Sequence, residues 1–244
     1  MARRAREKSE TGFYHVMIRG IGKQIIFEED SDYRRFLSTL KRYLDEHDVR
    51  IYAYCLMENH VHMLVRDPQD ELDVFMKRLE GSYAFYYNHK YERVGTLFQE
   101  RFKSEPIKDE AYLSVVLRYI LQNPQKAGIS STEAYPWSSY SEMFSHSDII
   151  HDDFKELFGR KKMLLKYIHE TNDDICMEPI SASISDTRAK EIICDRLKIK
   201  SSTQLQNYDK ASRNAALRVL KESGLSVRQI ERLTGINRGV IQNA

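Results

Sequence analysis

Residues 13–19 read FYHVMIR, a run of aromatic and β-branched side chains closed by Gly20, which predicts a strand ending in the turn RGIGK. From Asp30 the apolar spacing changes to three and four. Tyr33, Phe36, Leu37, Leu40, Tyr43 and Leu44 mark one face of a helix reaching to about Glu46, with Asp30, Ser31 and Asp32 as candidate caps. VRIYAYCLMENHVHMLVRDP holds two strand-like runs, 49–57 and 61–66, joined at Glu58 and Asn59 as a hairpin and stopped by Asp67 and Pro68. Leu72, Phe75, Met76, Leu79, Tyr83, Tyr86 and Tyr87 mark a second helix, and FKSEPIK (102–108) is a weaker strand. A third helix begins near Asp109, runs through AYLSVVLRYILQN and stops at Pro124 and Gly128. This order predicts an α+β fold: a ferredoxin-like antiparallel sheet with helices on one face.

Beyond WSSY (137–140) the pattern loosens. SEMFSHSDIIHDD is polar and acidic, and FKELFGRKKMLLKYIHE (154–170) returns to helical spacing around Gly159. Residues 185–200 and 209–223 read as helices. The last segment, LSVRQIERLTGINRGVIQNA, has the pattern of a helix-turn-helix: Ser226 as N-cap, Val227, Ile230 and Leu233 on the inner face, Gly235 at the turn, and Ile236 and Val240 packing a second short helix. Its exposed Asn237, Arg238 and Gln242 are residue types that read base edges, and Arg228 and Arg232 are placed to hold phosphate. The expected organisation is a body at 1–140, an acidic connector with a packed helix at 141–184 and an all-α DNA-binding domain at 185–244.

Charge sharpens that division. The body carries 21 Lys and Arg against 21 Asp and Glu, residues 141–180 carry 5 against 9, and residues 181–244 carry 12 against 6. A basic tail on a neutral body points to a polyanion, and DNA is the partner expected. No stretch approaches the roughly 20 apolar residues of a membrane span, and MARRAREKSE leads into no apolar segment, so a cytoplasmic protein without membrane attachment is expected. Cys55, Cys176 and Cys194 form no CxxC pair and read as small apolar residues. GIGK lacks the spacing of a phosphate-binding loop.

The candidate chemistry begins with His60 and His62. Two apart on a strand, they project from one face, where two neutral imidazoles can share a divalent metal ion. A third group is needed, and the third helix offers Tyr119 and Asn123, four apart on one helical face. The competing reading is that Tyr119 is simply core, because Tyr112, Val115, Val116 and Ile120 make this helix apolar nearly all round. Arg101 and Lys103, interleaved with Phe98 and Phe102, are candidates for holding single-stranded DNA by phosphate pairing and base stacking, against the reading that the phenylalanines are core. Arg3, Arg4, Arg6 and Lys8 form a basic arm.

Four segments in order, YHVMIRG, MENHVHMLV, GTLFQERFKS and YILQNPQKAG, resemble the REP-associated tyrosine transposases, a branch of the single-tyrosine HUH transposases. The resemblance spans residues 13–140. It implies that His60 and His62 bind Mg²⁺ or Mn²⁺, that Tyr119 is the nucleophile, and that the third ligand is Asn123, directly or through water, or else Gln122. It implies cleavage and rejoining of single-stranded or hairpin DNA through a 5′-phosphotyrosine, in a monomer or a homodimer. Residues 185–244 are similar in pattern to the DNA-binding domain of the replication initiator DnaA, which implies duplex DNA as the tail's partner; INRGVIQ departs from that family's recognition segment. The alternatives are a catalytically idle DNA-binding regulator and an HxH hydrolase that uses water.

Overall fold

The structure, a computed structural model, describes residues 7–174, 176–177, 186–199, 201–242 and 244, without the side chains of Phe144, residues 186–188 and Arg228. The chain divides into two compact units, 1–177 and 178–244.

The first unit is an α+β body. Its order is β1 (Phe13–Arg19), α1 (Asp30–Leu44), β2 (Arg50–Met57), β3 (His60–Arg66), α2 (Leu72–Lys90), β4 (Lys103–Pro106) and α3 (Glu110–Lys126). The four strands form one antiparallel sheet in the order β2-β3-β1-β4. That is the split βαβ arrangement expected, with β3 inserted between the two strands that α1 connects. One face carries Val16, Ile18, Val61, Met63 and Val65, all buried in one cluster with Phe36 and Leu40 of α1 and Phe75, Leu79 and Tyr83 of α2. Sequence reasoning put the helices on one face; α3 is an addition to the opposite face, where it meets the histidines.

Local chemistry sets the helix ends. Asp32, fully buried, accepts from the backbone N–H of Glu28 (2.9 Å) and Glu29 (3.2 Å) at the start of α1. It also takes Lys90 Nζ at 2.5 Å and the Tyr91 hydroxyl at 2.7 Å, tying α1 to the end of α2. Asp109 caps α3 by accepting from Tyr112 N at 2.7 Å. Helix α3 passes through Pro124 and ends at Lys126, between the two predicted stop signals, Pro124 and Gly128. A proline removes its own donor and crowds the carbonyl four residues back, but the N–H groups after it still bond, as Ala127 N does to Asn123 O at 3.0 Å.

The outer edge of β2 is covered by residues from the acidic stretch and the WSSY segment. Leu56 N donates to Trp137 O (2.9 Å), Ser139 N to Tyr54 O (3.0 Å) and His151 N to Ile51 O (2.9 Å), so this edge is not left as an open template. Two short helices follow, α4 (Phe154–Phe158) and α5 (Lys161–His169), whose Phe154, Leu164 and Ile168 join the body's core.

The second unit is all α: α6 (Asp186–Leu197), a 3-10 turn at Ser202–Asn207, α7 (Lys210–Glu222), α8 (Val227–Thr234) and α9 (Arg238–Gln242). Its core holds Ala189, Ile193, Leu205, Leu217, Leu220, Ile230 and Ile241. Asp209 caps α7, and Ser226 Oγ caps α8 by accepting from Gln229 N at 3.2 Å. Gly235 ends α8 at φ 72°, in the left-handed region glycine enters without strain. Among the described residues no helix is long and apolar enough to cross a membrane.

Candidate active site

Sheet register assembles the site. Met17 and Cys55 flank His62, and Arg19 and Met57 flank His60, so one face of the sheet presents both histidines with Arg19 beside them. The imidazoles of His60 and His62 stand at 89° with centroids 5.0 Å apart. Asn59 Oδ1 lies 2.6 Å from His60 Nδ1 and orients that ring, while Asn59 Nδ2 donates to Lys23 O. His62 is fully buried, its Nδ1 lies 2.9 Å from His15 Nε2, and its Nε2 has no hydrogen-bond partner in the protein.

Burial keeps these rings neutral. It pushes His60 down to about 3, with Arg19 acting in the same direction and Asn123 drawing the other way through a hydrogen bond. His62 is held well below the ordinary histidine value by burial first and then by His60, His15 and Arg19. Neutral imidazole is the form that ligates a metal ion.

Helix α3 brings the remaining groups. Tyr119, 5% exposed, stands edge-on to His62 with centroids 5.6 Å apart, and 5.8 Å from His15. Asn123, one turn on, approaches His60. Lys126 Nζ lies over the Tyr119 ring at 5.4 Å from its centroid, a cation–π contact. Thus His60, His62, Tyr119 and Asn123 come together on one face.

Gln122 points elsewhere. Its Nε2 donates to Ile168 O (2.5 Å) and Glu170 O (3.3 Å), and its Oε1 accepts from Asn172 Nδ2 (2.8 Å). Arg118 Nε reaches Asp174 at 2.7 Å, and Lys126 Nζ donates to Asn172 Oδ1 and Asp174 O, both at 2.9 Å. A clasp of residues 168–174 therefore grips α3. Sequence reasoning missed it because these partners lie some fifty positions apart, and it missed His15, Arg19, Asn59 and Lys126, which became legible only once register and helical phase were known. The i, i+7 spacing of Tyr119 and Lys126 was the one available signal.

The other candidates are more dispersed. Lys103 pairs with Met17 and so shares the His62 row, exposed at the sheet's β4 edge. Arg101 is exposed near Glu80, whose carboxyl accepts from Phe102 N at 3.2 Å. Phe98 is buried and Phe102 half-buried against the core, which favours the packing reading for both. Lys8 pairs with Asp70 at 2.6 Å; Arg3, Arg4 and Arg6 lie outside the described residues. In the second unit Arg232, Asn237, Arg238 and Gln242 are exposed, and the Arg228 side chain lies outside the described residues. Asn237 Oδ1 accepts from Gly239 N at 2.9 Å, so this side chain also caps α9.

Among the described residues no group of three or more His, Cys, Asp or Glu side chains is disposed to hold a metal ion. The donor set here is of another kind, two imidazoles and a carboxamide. A buried His62 Nε2 lacking any protein partner fits a hard or borderline divalent ion, because an orphaned buried nitrogen is costly without one.

Residues 8–123 match the family model described as "Transposase IS200 like". A REP-associated tyrosine transposase of Haemophilus influenzae is 23% identical over 159 residues, covering 60% of this chain and 86% of that protein. A solved REP-associated tyrosine transposase bound to a REP hairpin superposes with a TM-score of 0.52 at 15% identity, over 60% of this chain and 87% of that one.

Proposed function

We propose, from the match of residues 8–123 to the model described as "Transposase IS200 like" together with the geometry of the site, that this protein cleaves and rejoins single-stranded, hairpin-bearing DNA through a covalent link to Tyr119. The observation that carries the reading is the Tyr119 ring lying 5.6 Å from His62 on the face that also holds His60 and Asn123. A purely binding protein has no use for that combination.

His60, His62 and Asn123 would hold a divalent ion, Mg²⁺ or Mn²⁺, which when bound supplies a Lewis acid for the scissile phosphate. The Tyr119 oxygen attacks phosphorus and forms an O–P bond; the bond from phosphorus to the 3′ oxygen breaks, and that oxygen leaves with a proton as a free 3′-hydroxyl. The reverse attack by a 3′-hydroxyl rejoins strands, so the ester is conserved and no nucleotide cofactor is consumed. Lys126 over the phenol ring and Arg19 beside the histidines supply positive charge to the phenolate and the phosphate. Lys103, in the His62 row, and Arg101 extend that charge along the sheet edge for single-stranded DNA. In the second unit, the caps at Ser226 and Asn237, the Gly235 turn and the exposed Arg232, Arg238 and Gln242 support a helix-turn-helix that docks duplex flanks.

The deciding experiment is incubation of labelled hairpin DNA with wild type and Tyr119→Phe in Mn²⁺, followed by denaturing electrophoresis. An adduct in the wild type alone is expected. An adduct in both refutes Tyr119, cleavage without adduct in both favours a water-using hydrolase, and tight binding without cleavage favours the idle regulator.

A further inference from the structure

His15 lies outside the candidate ligand set, yet it is fully buried against it. In the antiparallel register of β1 and β3, Met17 faces His62 and His15 faces Leu64, so His15 and His62 are diagonal neighbours on one face. Their rings are 5.0 Å apart, with His15 Nε2 at 2.9 Å from His62 Nδ1. A hydrogen bond between neutral imidazoles needs one donor and one acceptor, so two arrangements exist. If His15 donated, His62 would carry its proton on Nε2, a buried nitrogen without an acceptor in the protein, and His15 Nδ1 would turn a lone pair toward Glu105 Oε2, 4.0 Å away. If His62 donates from Nδ1, both difficulties vanish. The His15 proton then sits on Nδ1 and faces Glu105 Oε2, and those two buried atoms, each lacking a hydrogen-bond partner at normal length, become complementary. Glu105 is opposite His15 in the β1–β4 register and is steadied by the Tyr112 hydroxyl, which donates to Oε1 at 2.9 Å.

We propose that His15 is a positioning residue: it accepts the Nδ1 proton of His62 and presents its own Nδ1–H to Glu105, so that the His62 Nε2 lone pair is left to a divalent cation. This rests on the reading of His60, His62 and Asn123 as a cation site, and it extends to that site the rule that a ligating histidine is oriented by the group bonded to its other nitrogen.

Long-range ¹⁵N NMR of the histidine rings in the metal-free full chain tests it directly. His62 is expected with a protonated Nδ1 and a bare Nε2; a proton on His62 Nε2 overturns the proposal. Calorimetric titration with Mn²⁺ gives the second arm. His15→Phe, which keeps a ring but removes the acceptor, is expected to weaken binding about 10- to 100-fold, and His15→Gln, whose amide oxygen accepts the same proton, to recover most of it. Equal affinity in folded His15→Phe and wild type overturns the proposal. Should His15→Phe fail to fold, the tautomer and His15→Gln still decide. A wild type that binds no Mn²⁺ while His62 is in the Nδ1–H form refutes the cation site and upholds the hydrogen-bond chain, so the two failures are distinguishable.

Discussion

Tyr119 stands at 89° to His62, the edge of one ring against the face of the other, at a centroid distance of 5.6 Å. Edge-to-face packing fixes an aromatic side chain without using its hydroxyl. The ring of the group proposed as nucleophile is thus packed directly against a candidate ligand. Tyr119→Phe should therefore unfold within about 1 kcal/mol of wild type, the net worth of an ordinary hydrogen bond, while losing the covalent adduct; a much larger loss of stability would mean that the hydroxyl is structural.

Neighbouring carboxamides on α3 do different work. Gln122→Ala removes three hydrogen bonds to the clasp and is expected to lower stability by about 1–3 kcal/mol, the cost of leaving buried partners unsatisfied, with Mn²⁺ affinity nearly unchanged. Asn123→Ala should do the reverse. Thermal unfolding and Mn²⁺ titration of the two variants check this, and a fall in affinity for Gln122→Ala alone would exchange their roles.

The buried imidazoles make the body acid-sensitive. His15 and His60 are lowered to about 3 by burial, from an ordinary 6.5. The unfolded chain accepts protons that the folded one refuses, so the stabilising contribution is complete above pH 6.5 and drains away as pH falls toward 3. Urea midpoints measured across that range should decline, and less steeply for His15→Gln; a flat profile would contradict the burial of these rings.

Glu80 works with the opposite sign. Burial pushes its carboxyl up to about 7, against the opposing pull of the Phe102 N–H and Arg101. A raised folded value favours the protonated form, so this contribution is present below pH 4.5 and lost as pH rises through 7. Glu80→Gln keeps an acceptor for Phe102 N and carries no charge. Its unfolding temperature should exceed that of wild type at pH 8 but not at pH 4, as scanning calorimetry would show.

In the second unit, Gly235 is both left-handed and crowded, since a β-carbon there would collide with Gln206 Nε2. Gly235→Ala should cost about 1–2 kcal/mol for the backbone alone, seen as faster amide exchange in α8 and α9 with that of the body unchanged. Deleting 185–244 removes the surplus of positive charge and should flatten the salt dependence of DNA binding; an unchanged slope would assign the tail another task.

What the sequence made legible is what neighbours in sequence decide. The hinge at Glu58 and Asn59, the alternation that put His60 and His62 on one side, and the phase that put Asn123 under Tyr119 all rest on short spacings. The role of His15 depends on a register between strands nearly fifty residues apart, which a strand pattern alone does not reveal. The face chosen by α3 was likewise hidden, since a helix apolar nearly all round does not say which side it buries. The stop signals Pro124 and Gly128 bracket the end of α3 at Lys126, and the helix runs through the proline because a proline's penalty falls on the preceding turn.

Arg118, Gln122 and Lys126 recur every four residues along α3, and their holds on 168–174 overlap: Arg118 and Lys126 share Asp174, and Gln122 and Lys126 share Asn172. They act as one shared clasp rather than as three separate anchors. Length changes in residues 127–136, ahead of the Trp137 and Ser139 pairings to β2, leave the clasp intact, whereas a single-residue deletion inside 168–174 would break several of its shared bonds at once. Homologous chains should therefore vary in length across the first stretch and keep a constant spacing in the second.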